Sequence, residues 1–253
     1  MDKYRITALC AMALVFGFVA CGGDTAPVAE ESSQPPATAA PAGNAAINGT
    51  INYSNGDPDA AIKMDADPVC AGLHPEGAET QTVVADGGGL ANVFVYVKEG
   101  ISGSYDAPSE PALLDQQGCT YRPHVSGIMT AQTLVIRNSD PTLHNVHALP
   151  NNNEEFNQGQ PFQDMELEKE FANAEVMVRF KCDVHPWMGA YIGVVDHPFF
   201  AVSGADGSFS IGGLPAGDYV LEAWHETLGT QTQSVTVGAD GAVDVSFDFS
   251  PAA

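Results

Sequence analysis

Residues 180–188 of this chain read Phe-Lys-Cys-Asp-Val-His-Pro-Trp-Met, and the interpretation of the whole sequence starts from them. Within seven residues the stretch offers a thiolate (Cys182), an imidazole (His185) and a thioether (Met188), directly after a β-rich run. A blue-copper site needs one Cys and two His in a near-trigonal plane, with a weak axial Met. Zinc sites use more Cys or His ligands, and a thioether is a poor zinc ligand. The stretch therefore predicts three of four copper ligands on one loop between two strands.

The fourth ligand has to come from another part of the chain, and residues 138–147 offer it. This segment reads Asn-Ser-Asp-Pro-Thr-Leu-His-Asn-Val-His and carries two histidines near a strand end. Because His144 and His147 are three residues apart, they point to opposite faces of a strand, and only one of them is expected to face the metal. From the residues alone, both histidines remain candidates.

Two motifs resemble the cupredoxins, in particular the amicyanin-like members. Cys182-x2-His185-x2-Met188, with Pro186 and an aromatic residue after the histidine, resembles their ligand loop, and His144-Asn145-Val146-His147 resembles their upstream ligand segment. The resemblance covers about residues 120–196. It implies that copper is held by His144, Cys182, His185 and Met188. It also implies that Asn145 ties the two ligand-bearing loops together by hydrogen bonds, which holds the ligand geometry.

The resemblance implies a carrier of single electrons that cycles between Cu(II) and Cu(I). Cys182 would be the main electronic link, and Met188 would tune the reduction potential. His185, with Pro186 and Trp187 beside it, is expected to bring its ring edge to the surface and to serve as the electron port. We expect no enzymatic activity, because a copper oxidase or nitrite reductase needs further histidines in His-x-His pairs, and the sequence contains none.

Two other functions use the same residues. A copper-storage or delivery protein would bind the metal with the same ligands, although the Met-rich stretches that favour this function are absent. A surface binding module, in which copper is secondary, would contact polysaccharide or another protein. Trp187 and Trp224 give little support to a sugar-binding platform.

From Ile47 onward, short β-rich runs alternate with Gly, Asn, Asp and Pro, which predicts an all-β fold of the sandwich type. The clearest run is Val93–Val97, which is unbroken β-branched and aromatic sequence. A brief helical turn is predicted within Gln163–Asn173. The candidate strands are Ile47–Tyr53, Ala91–Lys98, Thr133–Asn138, Glu175–Lys181, Tyr191–Val195, Ser208–Ile211, Asp218–Trp224, Gln231–Val237 and Val243–Phe249.

Residues 200–219 resemble the carboxypeptidase regulatory-like (transthyretin-like) sandwich. The resemblance rests on a hairpin at Asp206-Gly207, a Pro-Ala-Gly turn and a Tyr that opens the next strand. That family begins with strands similar to Asn48–Ile51 and Ala91–Val97, and both of these precede the copper motif. We therefore hypothesise that the Greek-key cupredoxin sandwich is inserted into a second, small β-sandwich, with residues near 50 and 95 paired with residues near 220. The two sandwiches would comprise residues 101–196 and residues 47–100 with 197–253.

The N-terminus has the features of an export signal. A positively charged start and the uncharged, mostly apolar run Ile6–Ala20 predict a signal peptide over residues 1–20. Phe18-Val19-Ala20-Cys21 resembles the bacterial lipobox, which implies lipidation of Cys21; the alternative is an ordinary signal peptide cut nearby. Residues 21–46 are predicted to be a disordered tether. The expected location is a membrane-anchored one, on the periplasmic side of the outer membrane if the source is Gram-negative.

Two further cysteines, Cys70 and Cys119, lie in loop-like sequence. In an oxidising compartment they predict a disulfide. The alternative is a second metal site that combines them with His74 and His124, although no CxxC spacing supports it.

The charge balance limits the partners. The 253 residues include 9 Lys+Arg and 32 Asp+Glu, for a net charge of −23. Nucleic-acid binding needs a basic face and is not expected. An acidic surface favours a redox protein with a basic docking face, such as a c-type cytochrome, with weak and salt-sensitive docking.

Overall fold

The computed structural model describes residues 43–54 and 60–251. The predicted signal peptide, Cys21 and most of the predicted tether lie outside the described residues. Strands account for 52% of the structure and helices for 3%, which confirms the all-β fold class. None of the helical structure in the described residues has the length and hydrophobicity required to span a membrane.

The elements follow one another as short strands with a single short helix among the described residues. In chain order they are β1 (Ala45–Tyr53), β2 (Ala61–Ile62), α1 (Pro68–Leu73), β3 (Ala78–Glu79), β4 (Ala85–Asp86), β5 (Gly89–Leu90), β6 (Phe94–Glu99), β7 (Ala112–Gln116), β8 (Tyr121–Arg122), β9 (Val125–Met129), β10 (Leu134–Asn138), β11 (His144–Leu149), β12 (Phe156–Gln160), β13 (Met165–Lys169), β14 (Glu175–Lys181), β15 (Gly189–Val195), β16 (Phe200–Val202), β17 (Ser208–Leu214), β18 (Gly217–His225), β19 (Gly229–Val237) and β20 (Ala242–Phe249).

The first and last strands of the described chain build one β-sandwich, which we call the terminal sandwich. In one sheet, β1 pairs antiparallel with β17 and parallel with β20, and β5 and β4 extend this sheet. The other sheet has the order β16-β6-β18-β19. Apolar side chains at alternating positions of these strands, such as Ile47, Val95, Leu221 and Phe247, are buried between the two sheets, as the two-residue period of a strand requires.

Residues between β6 and β16 form a second sandwich, which we call the central sandwich. Its sheets have the orders β13-β10-β7-β8 and β12-β11-β14-β15-β9. Leu114 and Ile136 from the first sheet pack with Val146, Phe180 and Ile192 from the second in a separate buried core. The predicted ligands lie on β11 or next to β14 and β15, and these three strands are neighbours in the second sheet, so the two sequence motifs meet at one end of it.

The two sandwiches are in close contact around Phe94 of β6. A Cβ atom added to Gly127 of β9 or to Gly193 of β15 would lie 2.6 Å or 2.5 Å from the ring of Phe94. Both positions therefore need glycine for the sheets to approach this closely. Val125 and Val195 complete the same buried cluster.

Residues 60–80 leave the terminal sandwich between β1 and β6, and we call them the cover segment. The segment closes on itself, because the backbone amide of Thr80 donates to the carbonyl of Ala60 at 2.9 Å. Within it, Asp67 is the N-cap of α1 and accepts hydrogen bonds from the backbone amides of Val69 and Cys70. Proline at the first helical position suits this start, so the local sequence Asp-Pro explains where the helix begins.

All nine predicted strands are confirmed within a few residues at their ends. The helical turn predicted within Gln163–Asn173 is wrong, because this segment contains β13, which pairs with β10. Residues near 95 do pair with residues near 220, as in Tyr96 with Glu222. Residues near 50 instead pair with β17 and β20, because β1 is the centre of the other sheet. The domain boundaries drawn from the sequence stay a prediction.

Candidate metal centre

The predicted ligands come from the start of β11 and from the loop that joins β14 to β15. His144 is the first residue of β11, and Cys182 follows the last residue of β14. The loop is closed at both ends: the Cys182 amide donates to the Met188 carbonyl at 3.2 Å, and the Met188 amide donates to the His185 carbonyl at 3.0 Å. Pairing of β11 with β14 brings His144 and Cys182 to the same end of the sheet.

Three donor atoms converge at this end. The Nδ1 atoms of His144 and His185 are 2.9 Å apart, and Cys182 Sγ is 3.8 Å from His185 Nδ1. The donor atoms of these three residues all lie within 4.8 Å of one another. The side chains are buried, with His144 0% and both Cys182 and His185 2% exposed. Met188 is 1% exposed and belongs to the same buried cluster as Cys182.

The protonation of these groups suits a metal cation. Burial raises the pKa of the Cys182 thiol, but hydrogen bonds from His144 and from the Asn145 and His185 amides outweigh it, so the pKa lies below its usual value. Burial lowers the pKa of His185. Burial also acts to lower the pKa of His144, yet its bonds to Asp140 and Cys182 outweigh it and leave that pKa raised. A thiol with a lowered pKa beside an imidazole with a raised pKa is an arrangement in which a metal ion can take the place of the proton between them.

The donor set therefore fits copper. Two imidazole nitrogens and one thiolate sulfur, with a thioether buried nearby, are the ligands of a blue-copper centre. His144, Cys182 and His185 would hold the ion, and the Met188 thioether would be a further, weaker ligand.

In both predicted histidine ligands, a carboxylate contacts Nε2, the ring nitrogen on the far side from the converging donors. His144 Nε2 lies 2.9 Å from Asp140 Oδ2, and His185 Nε2 lies 3.1 Å from Asp67 Oδ2. The backbone amides of Gly118 and Cys119 donate to Asp140 at 2.8 Å and 2.7 Å. Sequence reasoning missed both carboxylates. The dipeptides Asp67-Pro68 and Asp140-Pro141 signal turns, but nothing in them indicates a histidine partner.

Asn145 connects the two ligand segments, in the position that the resemblance implied. Its side-chain oxygen accepts a hydrogen bond from the Asp183 amide at 2.6 Å, and its backbone amide donates to Cys182 Sγ at 3.5 Å. Its side-chain amide donates to Asn157 of β12. The ligand loop is thus held against β11 next to His144.

His147 lies apart from the converging donors. Its ring contacts Asp183 Oδ2 at 3.0 Å and Glu155 Oε1 at 2.8 Å, on the opposite side of β11 from His144. This arrangement follows from the odd separation of the two histidines along a strand.

Cys70 and Cys119 form a disulfide that joins the cover segment to the central sandwich. The alternative second metal site is therefore not assembled. His74 Nε2 contacts the Gly118 carbonyl at 2.6 Å, and His124 pairs with Glu226. Among the described residues, Cys182 is the free cysteine.

The ring edge of His185 does not reach the surface, contrary to the expectation for an electron port. The cover segment lies over it: Asp67 contacts its Nε2, and Cys70 Sγ is 3.7 Å from the same atom. Of the other two residues expected at the port, Pro186 is exposed, whereas Trp187 is half-buried and donates from Nε1 to the Cys119 carbonyl at 3.0 Å. No local pattern indicated the cover, because residues 60–80 are remote from the motif along the chain.

No family model and no curated protein matches this chain. Among solved structures, it is similar to a Cu-containing nitrite reductase (NirK) from Thermus scotoductus SA-01, at 18% identity and a TM-score of 0.33. That similarity covers 35% of this chain and 23% of the reductase. A purple cupredoxin from Nitrosopumilus maritimus is similar at 20% identity and a TM-score of 0.29, over 33% of this chain and 98% of the cupredoxin. A mutant of amicyanin with Cu(I) is similar at 19% identity and a TM-score of 0.30, over 35% of this chain and 96% of amicyanin.

Proposed function

We propose that this protein is a membrane-tethered type 1 copper protein that carries single electrons between periplasmic or cell-surface redox partners. The observation that carries the proposal is the convergence of His144 Nδ1, His185 Nδ1 and Cys182 Sγ within 4.8 Å in a buried site. When bound there, copper would supply one-electron chemistry between Cu(II) and Cu(I).

The chain's own residues would keep the ligands fixed in both oxidation states. The bond from Asp183 to Asn145 and the turn between His185 and Met188 restrict the ligand loop, so its geometry changes little when the charge changes. At metal sites, hydrogen bonds from surrounding residues to the ligands hold them in a geometry that does not have to rearrange. The buried donors also exclude water, which would otherwise offer a further ligand.

Electrons would cross the surface at the exposed part of the ligand loop rather than at His185. Val184 is 46% exposed and Pro186 is exposed, and both flank the buried histidine. A redox protein with a basic docking face, such as a c-type cytochrome, would dock there, since the chain has a net charge of −23. Lipidation at Cys21 and the tether over residues 21–46 would hold the protein at the membrane.

The test is the visible and electron-paramagnetic-resonance spectrum of the Cu(II)-loaded protein beside Cys182→Ser. We expect an intense thiolate-to-copper band and narrow copper hyperfine splitting, both lost in the variant, because they require the copper–thiolate bond. An ordinary tetragonal spectrum that the substitution leaves unchanged would contradict the proposal and favour the binding-module function.

The two histidines of β11 provide a matched control. His144→Ala should abolish the same spectrum, whereas His147→Ala should preserve it, because the His147 ring contacts Asp183 and Glu155 instead. The reverse result would assign the fourth ligand to His147.

A further inference from the structure

Asp67 belongs to a segment that leaves the terminal sandwich, yet it contacts a predicted ligand of the central sandwich. It lies in the cover segment, 118 residues from His185 along the chain, and its Oδ2 is 3.1 Å from His185 Nε2. Three residues further on, the disulfide from Cys70 to Cys119 fastens the segment to the central sandwich. The cover segment therefore brings a side chain from between β1 and β6 to the predicted ligands of the central sandwich.

The two oxygens of Asp67 have separate partners, which fix the carboxylate in place. Oδ1 accepts from the backbone amides of Val69 and Cys70 at 2.8 Å and 3.2 Å, so it is held by the start of α1. Oδ2 accepts from the Thr142 hydroxyl at 3.2 Å and faces His185. A carboxylate held at both oxygens cannot turn away from the imidazole without breaking the helix cap.

This contact determines which nitrogen of His185 is available to a metal ion. An ionised carboxylate only accepts hydrogen bonds, so the proton of the neutral imidazole belongs on Nε2. The lone pair is then on Nδ1, the atom that faces His144 and Cys182. Asp140 likewise contacts His144 Nε2, so the ring nitrogen of His144 that faces His185 is also Nδ1.

We propose that Asp67 is a positioning residue of the copper centre, and that the disulfide-fastened cover segment holds it there to orient His185 and to close the His185 edge to water. This inference rests on the proposed copper function. It also assigns a role to the cover segment, which would deliver one contact to a site that the central sandwich otherwise builds.

Loss of the Asp67 charge should weaken Cu(II) binding about 10–100-fold, the usual effect of removing a group that orients a metal ligand. A nearby negative charge stabilises Cu(II) more than Cu(I). The affinity for Cu(II) should therefore fall more than the affinity for Cu(I), and the reduction potential should rise. Each tenfold difference between the decrease in Cu(II) affinity and the decrease in Cu(I) affinity corresponds to a shift of about 59 mV for a one-electron couple.

The experiment compares the full chain with Asp67→Asn. Asparagine keeps the oxygen that caps α1, but it turns an NH2 group toward His185 Nε2, so the Nε2-protonated form loses its acceptor. The measurements are the Cu(II) affinity by chelator competition, the reduction potential by redox titration, and the His185 tautomer by ¹⁵N NMR of the metal-free protein. We expect weaker Cu(II) binding, a higher potential and a change of tautomer.

Asp206→Asn is the matched control. Asp206 is exposed, and its Oδ1 likewise accepts from a backbone amide two residues later, that of Ser208 at 3.0 Å, but it lies in a turn of the terminal sandwich. This variant has the same change in net charge and should leave all three measurements unchanged. Equal shifts in both variants would mean that net charge, not the contact with His185, is responsible, and would overturn the proposal.

Two further variants keep the outcome decisive if Asp67→Asn folds poorly. Thr142→Val removes one hydroxyl from Asp67 and leaves its charge and the helix cap intact, so it should shift the potential in the same direction by less. Cys70→Ser with Cys119→Ser releases the cover segment and should reproduce the affinity loss. The proposal is overturned if Asp67→Asn, Thr142→Val and the double cysteine variant all keep the wild-type Cu(II) affinity, reduction potential and His185 tautomer. If the wild-type protein does not bind copper, the proposed function fails, and the NMR tautomer alone decides whether Asp67 orients His185.

Discussion

Asn145 joins the two halves of the predicted copper site. It is 8% exposed, and its side chain accepts from the Asp183 amide while its backbone contacts Cys182 Sγ. A short polar side chain at this position therefore acts as a cross-link between β11 and the ligand loop.

Asn145→Ala should lower the free energy of unfolding by about 1–3 kcal/mol, because it removes the side-chain hydrogen bonds to the Asp183 amide and to Asn157 from a largely buried place. Asn52→Ala is the control: its side chain donates to Asp248 Oδ1 at 2.8 Å on the exposed face of β1. That variant should stay within about 0.5 kcal/mol of wild type. Urea unfolding of the metal-free proteins measures both, and equal stabilities for the two variants would contradict the structural role of Asn145.

The residues nearest the predicted metal were only partly foreseeable from sequence. The motif spacing names His144, Cys182, His185 and Met188, and their assignment as ligands stays a prediction. Asp67 could not be found, because its contact depends on how the cover segment folds onto the central sandwich. No local pattern of residues carries that information.

Among the elements, the strands that the sequence predicted are those with apolar, β-branched runs. The polar strands β12 (Phe-Asn-Gln-Gly-Gln) and β13 (Met-Glu-Leu-Glu-Lys) were missed, and both are at the edges of their sheets. At an edge, pairing with one neighbour is enough to form a strand, and charged side chains protect its free side. Helix α1 was missed because its six residues are too few to be stable alone. The Asp67 cap and the disulfide stabilise it.

The start of β14 is stabilised by a carboxylate that binds the turn between β11 and β12. Glu175 is 6% exposed and accepts hydrogen bonds from the Asn151 amide and from the Asn152 amide, the latter at 2.8 Å. Burial raises the pKa of Glu175, but these hydrogen bonds outweigh it and hold the pKa below its usual value. The ionised form is therefore the one that stabilises the fold.

Glu175→Gln should lower the free energy of unfolding at pH 7 by about 1–3 kcal/mol, the usual worth of hydrogen bonds to a charged group. Because the folded pKa is depressed, the stabilisation is complete above the unfolded value of about 4.3 and disappears as the pH falls through the folded value. The difference from wild type should therefore shrink below about pH 4. Urea unfolding from pH 7 to pH 3 measures it.

Glu166→Gln is the control for that series. Glu166 is also a strand glutamate, but it is exposed and pairs with Arg137 at the surface. Surface ion pairs contribute about 0–1 kcal/mol, so this variant should unfold close to wild type. A Glu175→Gln difference that stays constant with pH would show that the carboxylate charge does not stabilise the turn.

At the scale of the whole molecule, the charge of −23 should control the rate of encounter with a basic partner. Electron transfer with a basic c-type cytochrome should slow at least about tenfold between about 10 mM and about 1 M salt, because the screening length falls from about 30 Å to about 3 Å. Stopped-flow kinetics measures the rate. Oxidation by a neutral small molecule should change little and serves as the control; a cytochrome rate that is flat with salt would contradict the docking proposal.

The chain enters the terminal sandwich, leaves it for the central sandwich and returns to finish it. Strand β6 pairs with β16, so the two ends of residues 101–196 emerge next to each other. This pairing is what an inserted domain requires, and the insertion remains our proposal. The sequence suggests the insertion because segments on both sides of the predicted copper motif resemble the carboxypeptidase regulatory-like sandwich.

If the protein binds copper as proposed, the cover segment would impose an order on its maturation. Before Cys70 and Cys119 were joined, an arriving copper ion would find the His185 edge open; afterwards its entry would require the cover segment to move, since the predicted ligands are at most 2% exposed. An environment that oxidises those two cysteines can also join either of them wrongly to Cys182. Copper bound early would protect that third sulfur. Supply of the ion and supply of the oxidant would thus compete in time, and late delivery of copper would leave metal-free or mispaired chains.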